Sequence, residues 1–162
     1  MIVTIFTDAS FDHRTLAAGW SAWIKYRPEP EHTIRLAGQI KSAVLCNSAL
    51  GAEIAAIANA LHVAAKRLKL TGDDRVVLQS DCMVAMDCIN GKAKRALRNE
   101  FVKICKDHIA ETITAHGFAL DLRHVKAHRG NADSRSAVNS WCDRSARSQM
   151  RAKRTVLKKE KT

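Results

Sequence analysis

Ile2-Val3-Thr4-Ile5-Phe6-Thr7-Asp8 decides the reading of this chain. Its first six residues are β-branched or apolar at both parities, the pattern of a central strand covered on two faces, and the run stops at an acid. Arg75-Val76-Val77-Leu78-Gln79-Ser80-Asp81 repeats the arrangement. Parallel neighbours in an α/β sheet bring such strand ends to one edge. Adjacent strands lie ~4.8 Å apart, comparable to the ~3.5–4 Å between the ions of a two-metal phosphodiester site. Taken singly, Asp81 equally suits an N-cap of the next helix and Asp8 a turn.

Working outward, Ala17 to Tyr26 and Glu31 to Ile40 read as two strands joined by a turn around Pro28-Glu29-Pro30, which makes an antiparallel meander with the first. From Ser48 onward, Ile54, Ile57, Ala58, Leu61, Ala65 and Leu68 follow helical spacing until Thr71-Gly72. Met83 to Ile89 reads as a short helix ending at Asn90-Gly91, and a longer one spans about Arg95 to Ala115. Phe118 to Val125 is the last strand, Lys126 to Asn131 a loop, and Ser134 to about Arg151 the final helix, followed by a basic, frayed tail. The order β-β-β-α-β-α-α-β-α predicts an α/β domain over residues 1–150. Its mixed five-stranded sheet combines the three-strand meander with two parallel strands and carries helices on both faces; residues 151–162 form the tail.

A length of 162 residues suits one domain, and the formal net charge of +11 suits a polyanionic partner, nucleic acid first. The five cysteines include no C-x-x-C pair and leave an odd thiol under any pairing, which fits reduced, buried thiols of a cytoplasmic protein. The N-terminus lacks a basic signal-type region, and no window approaches the ~20 apolar residues of a membrane span. A soluble protein with no membrane partner is expected. Trp20, Trp23 and Trp141 fall in elements that must pack on the sheet and read as core rather than as base-stacking platforms.

Glu53 is an acid on an apolar helix flank. Ala49, Leu50, Ala56 and Ile57, three and four positions away, offer no basic partner. Either it faces water or a metal neutralises it, because burial unpaired is costly. Asp143 has an ordinary alternative in Arg147, four residues on. Hard oxygen ligands select Mg2+, or Mn2+, over zinc.

In order and setting, these acids resemble the catalytic carboxylates of the ribonuclease H family. Thr7-Asp8-Ala9-Ser10 followed by Gly19-Trp20-Ser21-Ala22 is similar to the family's first strand and hairpin, Ala52-Glu53-Ile54-Ala55-Ala56 to its glutamate helix, and Ser80-Asp81 to its third acid. His124-Val125-Lys126-Ala127-His128-Arg129-Gly130, then Asn139 and Cys142-Asp143-Arg144-Ser145-Ala146-Arg147, resemble its histidine loop and last-acid helix. The resemblance implies a ribonuclease H-like fold and hydrolysis of the RNA strand of RNA/DNA hybrids. It implies two Mg2+ ions, with Asp8 bridging both, Glu53 and Asp81 completing one site, Asp143 completing the other, and His128 assisting proton transfer or product departure. Nucleic-acid contacts are expected at Ser10, Lys126 and Arg129. Asn47 and Ser48, the basic stretch Lys92, Lys94 and Arg95, and the tail residues Arg151, Lys153 and Arg154 are further expected contacts. A monomer is expected.

Departures keep two rivals open. Leu50 and Met83 stand where the family commonly carries polar groups that read RNA, which favours a DNA nuclease or Holliday junction resolvase on the same fold. Residues 131–138 look like an insertion, and the basic handle helix of some bacterial members is missing. A non-catalytic nucleic-acid-binding module is the other rival, and the complete acid set speaks against it.

Overall fold

The computed structural model describes residues 1–27, 32–125 and 134–160. Five strands, β1 (Ile2–Asp12), β2 (Ala17–Tyr26), β3 (His32–Gln39), β4 (Arg75–Ser80) and β5 (Ala119–His124), form one sheet in the order β3-β2-β1-β4-β5. The β1–β2 and β2–β3 pairs are antiparallel, whereas β1–β4 and β4–β5 are parallel. The helices are α1 (Ala49–Leu68), α2 (Met83–Ile89), α3 (Glu100–His116) and α4 (Ser134–Glu160). This is the mixed sheet expected from the sequence.

Strand alternation divides the core. Val3 and Ile5 of β1 join α1 and α3 in the main cluster, with Ile54, Ile57, Leu61, Phe101 and Ile109. Phe6 instead meets Val138 and Cys142 of α4 in a second cluster. Helices therefore cover both faces. The α4 helix lies so close to β2 that a Cβ at Gly19 would collide with the Ala146 carbonyl oxygen and the Met150 nitrogen, while buried Ser21 donates its hydroxyl to the Cys142 carbonyl at 2.7 Å. No residue larger than glycine fits at position 19 without moving the helix that carries Asp143.

Several boundaries differ from the sequence expectation. Strand β1 does not stop at Asp8: its pairing with β4 ends at Phe6↔Gln79, but its pairing with β2 continues from Thr7↔Ala22 to Asp12↔Ala17. Asp8 thus lies mid-strand, at the point where β1 has lost its β4 neighbour. The segment expected as one helix from Arg95 is a 3-10 turn over Ala96–Arg98, then α3, whose first turn is capped by the Asn99 side chain accepting from the Val102 N–H. The helix α4 crosses the boundary set at residue 150 and runs to Glu160 instead of fraying after Arg151. Lys153 donates to the Ile40 carbonyl and Arg154 faces Asp12 at 3.7 Å, which fixes this last stretch against the body.

The three tryptophans pack as expected. Trp23 and Trp141 meet edge to face with centroids 5.5 Å apart, and Trp20 lies against Gly38. All five cysteines are free, and Cys46, Cys88, Cys105 and Cys142 are buried. Among the described residues no helix is long and apolar enough to cross a membrane. The expected turn at Pro28-Glu29-Pro30, the loop residues Lys126, His128 and Arg129, and residues 131–133 of the apparent insertion lie outside the described residues; the rest of that segment forms the start of α4.

Candidate active site

Three elements converge on the strand edge where the β1–β4 ladder ends. Asp8 comes from β1. Asp81 follows β4 directly, in a turn shaped by Ser80, whose hydroxyl accepts from the Cys82 N–H at 3.1 Å. The His124 ring at the end of β5 meets the Asp81 carbonyl at 3.1 Å and ties that turn to the sheet. The α2 helix has no side-chain N-cap, so the Asp81 carboxylate is not spent on capping.

Glu53 arrives on the second turn of α1. The Ser48 hydroxyl caps that helix by accepting the Gly51 N–H at 2.9 Å. Gly51 lets the helix start approach α3, since a Cβ there would sit 2.9 Å from the Phe101 ring. Beside Glu53, Ala52, Ala55 and Ala56 are buried and small enough to bring the helix down onto the sheet.

One carboxylate oxygen from each of Asp8, Glu53 and Asp81 lies within 4.8 Å of the others. Like charges at that spacing repel by roughly 3 kcal/mol per pair at an effective dielectric constant near 20. The titration of the group reflects this. Burial, then the charges of Asp8 and Asp81, push Glu53 up to about 9, with only the Ala9 N–H opposing. Burial and Asp81 push Asp8 up to about 7, against the same Ala9 N–H, which donates to Asp8 at 2.8 Å. Glu53 Oε2 is fully buried and has no hydrogen-bond partner. A buried anionic oxygen in that state requires a proton or a cation. Hard oxygen donors around an orphaned carboxylate are what a divalent ion such as Mg2+ or Mn2+ takes, so the residues present fit that group.

Asp143 stands outside this trio. One Nη of Arg147 lies 2.8 and 2.9 Å from its two carboxylate oxygens. The two are still neighbours of the cluster, for the charge of Asp143 raises the Asp8 pKa and that of Arg147 lowers it. The i,i+4 spacing predicts the Arg147–Asp143 ion pair that is found, but it carries no hint of the pair's proximity to Asp8.

The expected nucleic-acid contacts are scattered more widely. Lys92, Lys94 and Arg95 are exposed and line a groove of ≈ 730 Å³ together with Ser48, Leu50 and Asn99. Ser10 is half-buried in β1 opposite Gly19. Asn47 is exposed and its side-chain carbonyl accepts from Asn99 at 2.8 Å, while the Ser48 oxygen is occupied as the α1 cap. Arg151 is exposed on α4. Lys153 donates to the Ile40 carbonyl, and Arg154 faces Asp12.

The family model described as RNase H matches residues 1–151. No curated protein sequence gave a match. Among solved structures, RNase H1 from the halophilic archaeon Halobacterium salinarum is 15% identical with a TM-score of 0.68, covering 94% of this chain and 99% of that one. The N-terminal RNase H domain of rv2228c from Mycobacterium tuberculosis, a fusion with maltose binding protein, is 16% identical with a TM-score of 0.66, covering 96% and 97%. LC11-RNase H1 in complex with an RNA/DNA hybrid is 21% identical with a TM-score of 0.63, covering 88% and 97%.

Proposed function

Because the chain belongs to the RNase H family, we propose that it hydrolyses the RNA strand of RNA/DNA hybrids, leaving 5′-phosphate and 3′-hydroxyl ends. The observation that carries this reading is the Asp8–Glu53–Asp81 cluster, with its buried, unpartnered Glu53 oxygen. The hybrid bound by LC11-RNase H1, a protein of the same fold, supports the substrate.

Asp8, Glu53 and Asp81 would hold one divalent ion, Asp8 and Asp143 a second, with Mg2+ the expected metal and Mn2+ an alternative. When bound, such ions lower the pKa of water and offset charge on the phosphodiester. The protein's own contribution is positional. The β1–β4 ladder fixes Asp8 beside Asp81, the alanine-rich flank of α1 brings Glu53 to them, and the Ala9 N–H orients Asp8. Lys92, Lys94 and Arg95 supply cations along the adjacent groove for the substrate backbone. His128 is assigned to proton transfer or product departure, and Lys126 and Arg129 to contacts with the substrate.

A second reading, cleavage of DNA or of four-way junctions, is favoured by one feature of the groove. Leu50 lines it and Met83 is 53% exposed nearby on α2, where polar groups would be needed to contact 2′-hydroxyls. Labelled RNA/DNA hybrid, double-stranded DNA and a four-way junction separate the readings. Cutting of the hybrid alone in Mg2+ or Mn2+, with 3′-hydroxyl products, is expected. Cutting of DNA or the junction would replace the first reading with the second, and salt-sensitive binding without cutting would leave a binding module.

A further inference from the structure

We propose that Arg147 is an exchangeable counter-ion: it holds the Asp143 carboxylate in the metal-free protein and releases it when a divalent cation is bound. The proposal rests on the reading of the four acids as cation ligands.

The geometry sets the two occupancies in competition. A single Arg147 nitrogen lies 2.8 and 2.9 Å from the two Asp143 oxygens, so it takes the chelating edge of the carboxylate and puts a positive charge where a second cation would approach it. Asp143 accordingly stays out of the trio formed by Asp8, Glu53 and Asp81, although its charge reaches Asp8. Arg147 acts on Asp8 with the opposite sign, which places a positive charge on the flank of the cluster that faces α4. In the absence of metal it therefore offsets a fourth negative charge where three carboxylates already crowd together.

The exchange is also easy. The Arg147 side chain is 49% exposed and that of Asp143 27%, so the guanidinium can turn into water without opening the core. A solvent-exposed ion pair of this kind is weak and gives way to a ligand of higher charge. Residues Cys142 and Ala146, which lie on the packed side of the same helical turns, are buried, so α4 itself has no reason to move.

Direct Mn2+ binding tests this, read from the electron paramagnetic resonance signal of free Mn2+ in wild type, Arg147→Gln and Arg147→Lys. Loss of the competing charge is expected to tighten binding in Arg147→Gln by about fivefold, or ~1 kcal/mol at 1.36 kcal/mol per decade. Arg147→Lys, which keeps the charge, is expected to stay near wild type. Tightening is a result that general damage to the fold does not produce. Unchanged or weaker Mn2+ binding in Arg147→Gln, beside a wild type that binds Mn2+ and cuts hybrid, would overturn the exchange while leaving the functional reading intact. A wild type that binds no Mn2+ would instead overturn the cation-ligand reading, and the exchange with it.

Discussion

Glu53→Gln is expected to lower kcat on an RNA/DNA hybrid by at least about 10³-fold while making the metal-free protein more stable at alkaline pH. The loss follows from removing a charged ligand whose contribution to the reaction is several kcal/mol, at 1.36 kcal/mol per tenfold in rate. The gain follows from the same carboxylate. Its folded pKa is about 9 against an ordinary 4.5. A raised folded pKa contributes stability that is fully present below the unfolded value and is lost as pH rises through the folded one. Wild type without metal should therefore weaken progressively from about pH 5 toward pH 9, and glutamine, which never ionises, should not follow it. At pH 8.5 the variant is expected to be roughly 1–3 kcal/mol more stable, a Tm rise of a few degrees in a chain of this size. At pH 5 the two should melt together. Thermal melts in EDTA at both pH values check this, and a variant less stable than wild type at pH 8.5 would contradict the burial of an uncompensated charge.

Metal binding is expected to release protons. At pH 7 the metal-free cluster retains the Glu53 proton and about half of the Asp8 proton, given values near 9 and 7. A cation accepts only the ionised forms, so each molecule should release about one to two protons as Mg2+ or Mn2+ binds. Affinity should then rise by roughly tenfold per pH unit for each proton released, on the order of 10³-fold between pH 6 and pH 8. Calorimetric titrations in two buffers of different ionisation enthalpy measure the number directly. Heats independent of the buffer would mean that the three carboxylates are already ionised, and that the crowding described for them is absent.

Much of this arrangement was legible in the sequence because its cues are local. The bounds of α2 are those expected, and β5 is shorter by one residue at each end. Asp8, Asp81 and Glu53 stood out through strand-end placement and an apolar helix flank. What the sequence concealed depends on contacts between distant segments. Residues Asp8 to Asp12 continue as strand because β2 pairs with them, a partner that the run ending at Thr7 does not announce. The end of α4 looks like a solvated basic tail until Lys153 finds the Ile40 carbonyl and Arg154 finds Asp12. The ion pair of Arg147 with Asp143 is present as its i,i+4 spacing predicts, but only the fold places that pair beside Asp8.

The most direct test of the central claim is cleavage of a labelled RNA/DNA hybrid by wild type and by Asp8→Asn, each in Mg2+ and in EDTA. Asp8 belongs to the three-acid cluster and is the residue assigned to both cations. Its replacement by an amide of the same shape removes the charge with little change in packing. Mg2+-dependent cutting of the RNA strand, lost in EDTA and reduced at least about 10³-fold in the variant, is the expected result. Cutting that persists in EDTA or survives Asp8→Asn, or a wild type that leaves the hybrid intact, would contradict it.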